Sequence, residues 1–142
     1  IARGTMALPT FGTNDGQFPG SAGRGRILGP PPETAADRHA LAVLYVALLT
    51  LACGGTLAPD RPWVLEGSFL RDPAFAGLVA ALRPDQPTLL NPESYGIASG
   101  AALLCRPGGD AVPLDLSPAV ALALPGLIPY AARWRDLTGE TQ

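Results

Sequence analysis

The chain has 142 residues and a mass of 14.6 kDa, with 47% hydrophobic and 15% charged residues, which indicates one folded domain and excludes a disordered protein. A net charge of −2 and a pI near 5.2 exclude a basic nucleic-acid-binding surface. All ten basic residues are arginines, so a Walker-type phosphate loop, a Schiff base and a lysine general base are excluded within the chain.

Residues 1–33 read as a loop-rich strand segment. Thr5–Phe11 predicts an edge strand, because Pro9 cannot donate to a ladder. The stretch GTNDGQFPGSAGRG then predicts turns and loop, and Gly25–Leu28 predicts one more short strand. Because the chain begins with Ile1 and not with Met, we expect it to be part of a larger protein.

Residues 34–105 read as an α/β core that opens with a helix. Thr34 and Asp37 resemble a capping box, and apolar residues at three- and four-residue steps predict a buried helix from Ala35 to about Ala52. Cys53-Gly54-Gly55 should end it. The apolar stretch Leu41–Cys53 is too short to span a bilayer, so no membrane partner is expected.

A strand, a helix, a second strand and a second helix follow. Trp63–Leu65 is all apolar, which is typical of a strand buried on both faces of a sheet. Asp72 can cap the next helix, with Pro73 at its first position, and this helix should stop before Pro84. Thr88–Leu90 predicts the second strand. Gly96 to Cys105 then predicts a helix rich in small residues, and the order indicates an α/β fold.

Residues 106–142 read as a connection and a last helix. Proline and glycine interrupt residues 106–118, and Leu127 to Leu137 predicts a helix with Tyr130 and Trp134 on one side. Cys53 and Cys105 lack metal spacing and stand in apolar helical contexts. They predict two buried free thiols in a reducing cytoplasm.

The titratable residues exclude several kinds of active site. His39 is the only histidine, and we expect a solvated or partly packed side chain beside Arg38. One histidine and two separated cysteines cannot build a zinc site. A Ser-His-Asp triad on a nucleophile elbow is excluded because no Gly-x-Ser-x-Gly occurs.

Glu66-Gly67-Ser68 follows the strand at its carboxyl end, where open α/β sheets bind ligands. A glycine there lets the backbone approach a ligand closely, although a turn that serves folding alone has the same sequence. Glu66 either bonds to backbone N–H groups or enters a cleft, or it turns to solvent. Gly96 and Gly100 within a helix cost about 1 kcal/mol each against alanine, which indicates close packing or a nearby ligand.

These segments together resemble a known family. Glu66-Gly67-Ser68-Phe69, then Asp72, then YGIASGAALL at 95–104 resemble the C-terminal adenosine-binding region of the FGGY carbohydrate kinases. The stretch LPTFGTNDGQFPGSAGRGRI at 8–27 is similar to a Pro-x-Phe and Gly-x-Phe segment of that family. The Glu-Gly-x-Phe turn looks closest to the L-fuculokinase-like branch.

The resemblance implies an α/β fold, the C-terminal domain of an actin-like (ribonuclease H-like) ATPase, with a mixed sheet flanked by helices. It implies transfer of the γ-phosphoryl group of ATP, with Mg²⁺, to a sugar hydroxyl. Gly67 and Ser68 would contact the adenosine, Asp72 takes the place of a usual Asn, and Gly96 and Gly100 would support the opposite wall. The aspartate base and the phosphate loops belong to other parts of such a kinase, so the chain alone should be inactive.

We therefore expect residues 1–142 to be the ATP-side portion of a cytoplasmic sugar kinase that works with an N-terminal domain; a homodimer is left open. A noncatalytic α/β nucleotide-binding or scaffold module, in which the Gly67 turn is purely structural, is the alternative from another class. An unrelated hydrolase or transferase is a third interpretation, but the sequence offers no credible nucleophile-base pair for such an enzyme.

Overall fold

The fold is known from a computed structural model, which describes residues 1–92, 100–101, 104–105 and 114–139. Its elements follow in chain order: β1 Met6–Leu8, β2 Arg26–Leu28, α1 Ala35–Leu57, β3 Trp63–Leu65, a 3₁₀ turn Ser68–Arg71, α2 Pro73–Ala81, β4 Thr88–Leu90, β5 Ser117–Pro118 and α3 Leu127–Thr138. The strands predicted at 5–11, 25–28, 63–65 and 88–90 are confirmed, although the first two are shorter than predicted.

Two small sheets organise these elements. β1 pairs antiparallel with β2, with Ala7 opposite Ile27. β3 pairs parallel with β4, and β4 pairs antiparallel with β5, in the order β3-β4-β5. The parallel pair is joined through α2, as a crossover connection requires. The predicted mixed α/β fold is confirmed.

Helix α1 begins as predicted but ends later. The Thr34 hydroxyl accepts the Asp37 N–H, and the Asp37 carboxylate accepts the Thr34 N–H, so the capping box is complete. The prediction that Cys53-Gly54-Gly55 ends the helix is wrong, because α1 continues to Leu57. Gly54 serves packing instead: a Cβ there would lie 2.3 Å from the indole of Trp63.

Helix α1 is longer than the apolar stretch Leu41–Cys53 on which the membrane prediction was based. With 23 residues it is long and apolar enough to cross a bilayer, by length and composition only. Mostly buried core helices pass the same test; 28% of the apolar window of α1 is buried, and α1 supplies Leu44, Ala47 and Leu48 to the hydrophobic core.

Helix α3 closes one half of the core over the β1–β2 hairpin. Tyr130 donates a hydrogen bond of 2.8 Å to the Thr5 carbonyl, and Trp134 donates one of 2.8 Å to the Ala7 carbonyl. The predicted helix with both aromatics on one side is confirmed. The buried residues of this half are Met6, Leu8, Phe18, Leu48, Ala52, Tyr130, Ala131 and Trp134.

The other half of the core lies between α1, α2 and β3. Asp72 caps α2 and Pro73 occupies its first turn, as predicted. The buried residues here are Leu44, Ala47, Leu65, Phe75, Ala76, Leu78, Val79 and Leu127. This half positions the end of β3, where the predicted ligand site lies.

Three burial predictions are wrong. Cys53 and Cys105 are free thiols but exposed. Within β3 only Leu65 is buried, and Val64 is 45% exposed. The reason for Cys53 and Val64 is shared: among the described residues, nothing covers the side of α1 and β3 on which they lie.

Candidate functional site

The turn after β3 adopts a conformation that requires glycine. Gly67 has φ 100° and ψ −166°, which side chains with a Cβ rarely adopt. Among the described residues, no atom lies within 4 Å of a Cβ placed on Gly67. Within the described part of the chain the backbone is thus accessible at Gly67, and contact with a ligand there stays a prediction. Ser68–Arg71 then forms the 3₁₀ turn that leads to Asp72.

Asp72 has two structural partners. Its Oδ1 accepts the Ala74 N–H at 2.8 Å, and its Oδ2 lies 2.5 Å from Nε2 of His39. The Ala74 N–H lowers the pKa of Asp72 below 3.8, burial opposes this, and the bond to His39 lowers it further. Asp72 thus connects the start of α2 to α1. His39 is exposed as predicted, but its pairing with Asp72 was not predicted.

A groove of about 520 Å³ lies between α1 and this turn. We call it the turn groove; its lining residues are His39, Ala42, Val43, Val46, Ser68, Phe69, Arg71, Asp72, Pro73 and Phe75. Phe69 is 56% exposed and stacks at a tilt on Phe75, with 5.6 Å between ring centroids. The groove is therefore mostly apolar, with a hydroxyl and both signs of charge at its rim.

A second polar pair follows the two parallel strands. Glu66 comes directly after β3, and Asn91 directly after β4. Asn91 is 3% exposed; its N–H donates to the Leu65 carbonyl at 2.9 Å, and its amide Nδ2 donates to Oε2 of Glu66 at 3.0 Å. Glu66 is exposed, and its carboxylate accepts a hydrogen bond from this amide. The outcome therefore combines a polar partner with exposure to solvent.

The structure brings together part of the predicted site. Ser68 and Asp72 line the turn groove, and Gly67 precedes them. Gly96 lies outside the described residues. Gly100 is helical and exposed, and within the described ranges it does not belong to the groove lining. No group of three His, Cys, Asp or Glu side chains in the described part of the chain could hold a metal.

Sequence reasoning missed His39, Arg71 and Asn91 as residues around this site. Asn91 could have been predicted from the sequence, because it directly follows β4 as Glu66 directly follows β3. Arg71 stands within the predicted turn and could have been included with Ser68. The approach of His39 to Asp72 had no local signal, since it depends on how α1 crosses α2.

Two comparisons with known proteins point to carbohydrate kinases. A family model described as "Carbohydrate kinase FGGY, C-terminal domain" matches residues 1–113. The crystal structure of a carbohydrate kinase from Novosphingobium aromaticivorans is similar, with a TM-score of 0.71 and 26% sequence identity. The similarity covers 99% of this chain and 29% of that kinase, so the chain spans less than a third of its length. No curated protein matches the sequence.

Proposed function

The chain belongs to the FGGY carbohydrate kinase family by its C-terminal domain, and we propose that it forms the ATP-binding side of a sugar kinase. Its mixed sheet with flanking helices is consistent with the actin-like ATPase fold of that domain. The single observation that carries the ATP-side role is the open Gly67 backbone at the carboxyl end of β3, next to the turn groove.

The turn groove suits an adenosine moiety in size and chemistry. Its volume of about 520 Å³ falls within the usual range for small-molecule sites. Aromatic and aliphatic side chains such as Phe69 and Val43 can pack against a purine ring, and Ser68 can hydrogen-bond to it. Arg71 brings a permanent positive charge, which favours a polyphosphate. Because Asp72 already bonds to Ala74 and His39, its role in this proposal is to hold the groove in shape.

The transfer step needs groups that the described residues do not supply. A base has to accept the proton of the sugar hydroxyl, and Mg²⁺ has to neutralise the phosphates of the transferred group. We place these groups in the rest of the kinase, since the similarity covers 29% of the kinase from Novosphingobium aromaticivorans. The sugar is therefore chosen mainly outside this chain. The L-fuculokinase-like branch and a cytoplasmic location stay parts of the proposal.

Titration calorimetry with ATP on the intact kinase that contains this chain tests the groove. Ala42 is exposed and lines the turn groove, so Ala42→Phe should fill the groove and weaken ATP binding at least tenfold, about 1.4 kcal/mol. Ala40 is exposed on α1 outside the lining, and Ala40→Phe is the matched control. Equal ATP affinity of both variants would remove the turn groove from the proposal.

A coupled assay for ADP release tests the reaction itself. The intact kinase is incubated with MgATP and a panel of ketoses and deoxy sugars, L-fuculose among them. We expect ADP release that depends on one of these sugars and that falls in parallel with ATP affinity in Ala42→Phe. Binding of ATP with no sugar-dependent ADP release would instead favour the noncatalytic nucleotide-binding module.

A further inference from the structure

An exposed carboxylate at the end of β3 is held by a buried amide. Glu66 directly follows β3 and Asn91 directly follows β4, and the parallel register that pairs Leu65 with Leu90 places these two residues side by side. Asn91 is 3% exposed, and its Nδ2 donates to Oε2 of Glu66 at 3.0 Å, whereas Glu66 is exposed. A residue of the interior therefore restrains the direction of a side chain on the surface.

This restraint suits a binding group better than a structural one. Because Glu66 is exposed, water could satisfy its carboxylate without help from Asn91. Holding a long glutamate side chain in one direction also costs side-chain entropy. Binding sites commonly use such a supporting hydrogen bond to keep a polar group in the orientation that a ligand needs.

The pair lies beside the proposed adenosine site. Only Gly67 separates Glu66 from Ser68, which lines the turn groove, so the Cα atoms of Glu66 and Ser68 are at most about 7 Å apart. The backbone at Gly67 is accessible within the described part of the chain. A nucleoside whose base occupies the turn groove and which lies across Gly67 therefore brings its ribose to Glu66.

The chemistry of the carboxylate selects the part of a nucleotide that it can contact. An ionised carboxylate only accepts hydrogen bonds, so it repels phosphate groups and needs a donor. The 2′ and 3′ hydroxyls of ribose are such donors, and an acidic side chain binds the ribose 2′ hydroxyl in dinucleotide-binding α/β sheets. The base is accounted for by the apolar lining of the turn groove, which includes Phe69 and Val43. The ribose hydroxyls are thus the donors that fit Glu66.

We propose that Glu66, oriented by Asn91, accepts hydrogen bonds from the ribose hydroxyls and makes the kinase select ribonucleoside over deoxyribonucleoside triphosphates. Glu66 is the specificity-determining residue, and Asn91 is a positioning residue that acts through it. The inference rests on the proposed function, because it names the form of nucleotide that the same site takes. It adds a polar contact on the β4 side of Gly67 to the contacts in the turn groove.

Titration calorimetry on the intact kinase with ATP, 2′-deoxy-ATP and 3′-deoxy-ATP measures the selectivity. We expect at least one deoxynucleotide to bind at least about tenfold more weakly than ATP, because it lacks a charge-assisted hydrogen bond. Equal affinity for the three nucleotides would overturn this inference and leave the proposed function standing. Absence of ATP binding would refute the proposed function, and this inference with it.

Glu66→Ala tests whether Glu66 is the source of the selectivity. ATP should bind this variant about as weakly as the less favoured deoxynucleotide binds the unchanged kinase, and the three nucleotides should then bind alike. Glu33→Ala is the matched control, since Glu33 is an exposed glutamate outside the turn-groove lining, and it should keep both affinity and selectivity. Urea unfolding checks that both variants are folded.

Two results with a folded Glu66→Ala variant would contradict the proposal. Selectivity that persists would assign the ribose to other residues. Affinity that falls equally for all three nucleotides would place the carboxylate against the base or against Mg²⁺.

Asn91→Leu tests the positioning role. It keeps the backbone N–H that bonds to the Leu65 carbonyl but lacks the side-chain amide that holds Glu66. The preference for ATP over the deoxynucleotides should therefore shrink, whereas a merely structural role would weaken the binding of all three nucleotides by the same factor. An unchanged preference in this variant would overturn the orienting role of Asn91.

Discussion

His39 and Asp72 join the first turns of α1 to the first residue before α2 through a side-chain hydrogen bond of 2.5 Å. The two residues are 33 positions apart, and the bond lies on the rim of the turn groove. The same carboxylate caps α2 through the Ala74 N–H. The Asp72 side chain therefore caps α2 and also links this helix to α1 at the rim of the groove.

Two substitutions of Asp72 should separate capping from charge. Asp72→Ala removes the cap and should lower the free energy of unfolding by about 1 kcal/mol, whereas Asp72→Asn keeps a good capping residue. The pKa of Asp72 is lowered from 3.8, mainly by the Ala74 N–H. Its contribution to stability is thus complete above pH 3.8 and is lost as pH falls through the lowered value.

Urea unfolding from pH 6 down to pH 2 checks this expectation. Asp72→Asn should lose less stability in acid than the unchanged chain. Some acid dependence should remain, because the pKa values of Asp15 and Asp37 are also lowered, by backbone N–H groups of Gly20 and Thr34 respectively. If acid lowered the free energy of unfolding of Asp72→Asn as much as that of the unchanged chain, the ionised Asp72 carboxylate would not stabilise the folded state.

Gly67→Asp should weaken ATP binding by the intact kinase at least tenfold, about 1.4 kcal/mol, because it adds a negative side chain beside the proposed adenosine site. The substitution also introduces backbone strain of about 1–3 kcal/mol at a φ of 100°. Gly23→Asp is a control for that strain, since Gly23 has φ 67°, lies in the loop between β1 and β2, and has no atom of the described residues within 4 Å of its Cβ position.

Calorimetry with ATP and thermal unfolding are measured on both variants. Gly23→Asp should lose stability but keep ATP affinity. Should Gly67→Asp bind ATP as well as Gly23→Asp, the turn would be a structural feature only, as the alternative interpretation of Glu66-Gly67-Ser68 holds.

The sequence predicted what depends on local patterns. The Thr34–Asp37 capping box, the Asp72-Pro73 start of α2 and the two parallel strands are all encoded within a few residues, and the structure confirms them. The predicted end of α1 was wrong because the glycine at position 54 makes room for the indole of Trp63, nine positions further along the chain. Glycine ends helices and also permits close packing, and the pattern alone does not distinguish these uses.

The candidate site was predictable only in part. Ser68 follows directly from the strand-glycine turn, so its position at the carboxyl end of β3 was predictable, whereas the groove that it lines also needs α1. His39 reaches the site from another helix, so its partner depends on packing between α1 and α2. Burial of Cys53 and Val64 was mispredicted because apolar character does not show whether another element covers a residue, and among the described residues nothing covers the side of α1 and β3 on which they lie.

Gly54→Ala and Gly55→Ala should change stability in opposite directions. A Cβ on Gly54 would lie 2.3 Å from the indole of Trp63, over which the Arg83 guanidinium stacks at 3.7 Å. Moving this indole should cost about 1–3 kcal/mol, as overpacking does. Gly55 is exposed, and no atom of the described part of the chain lies within 4 Å of its Cβ position, so alanine there should add about 0.5–1 kcal/mol through helix propensity.

Urea unfolding followed by tryptophan fluorescence compares the two variants under the same conditions. The order of stability should be Gly55→Ala, then the unchanged chain, then Gly54→Ala. Destabilisation by Gly55→Ala would mean that α1 ends near Cys53, as the sequence alone suggested.

Tyr130 should make the stability of the domain sensitive to alkaline pH. Burial raises its pKa to about 12, and its hydroxyl donates to the Thr5 carbonyl at 2.8 Å. Because the folded state holds the neutral phenol, its contribution is complete below pH 10 and is lost as pH rises from 10 toward 12. Tyr130→Phe should cost about 1 kcal/mol at pH 7, through the lost hydrogen bond, and should lose less stability than the unchanged chain between pH 9 and pH 11.5. Urea unfolding at these pH values measures both effects, and an alkaline loss of the same size in Tyr130→Phe would show that another group causes it.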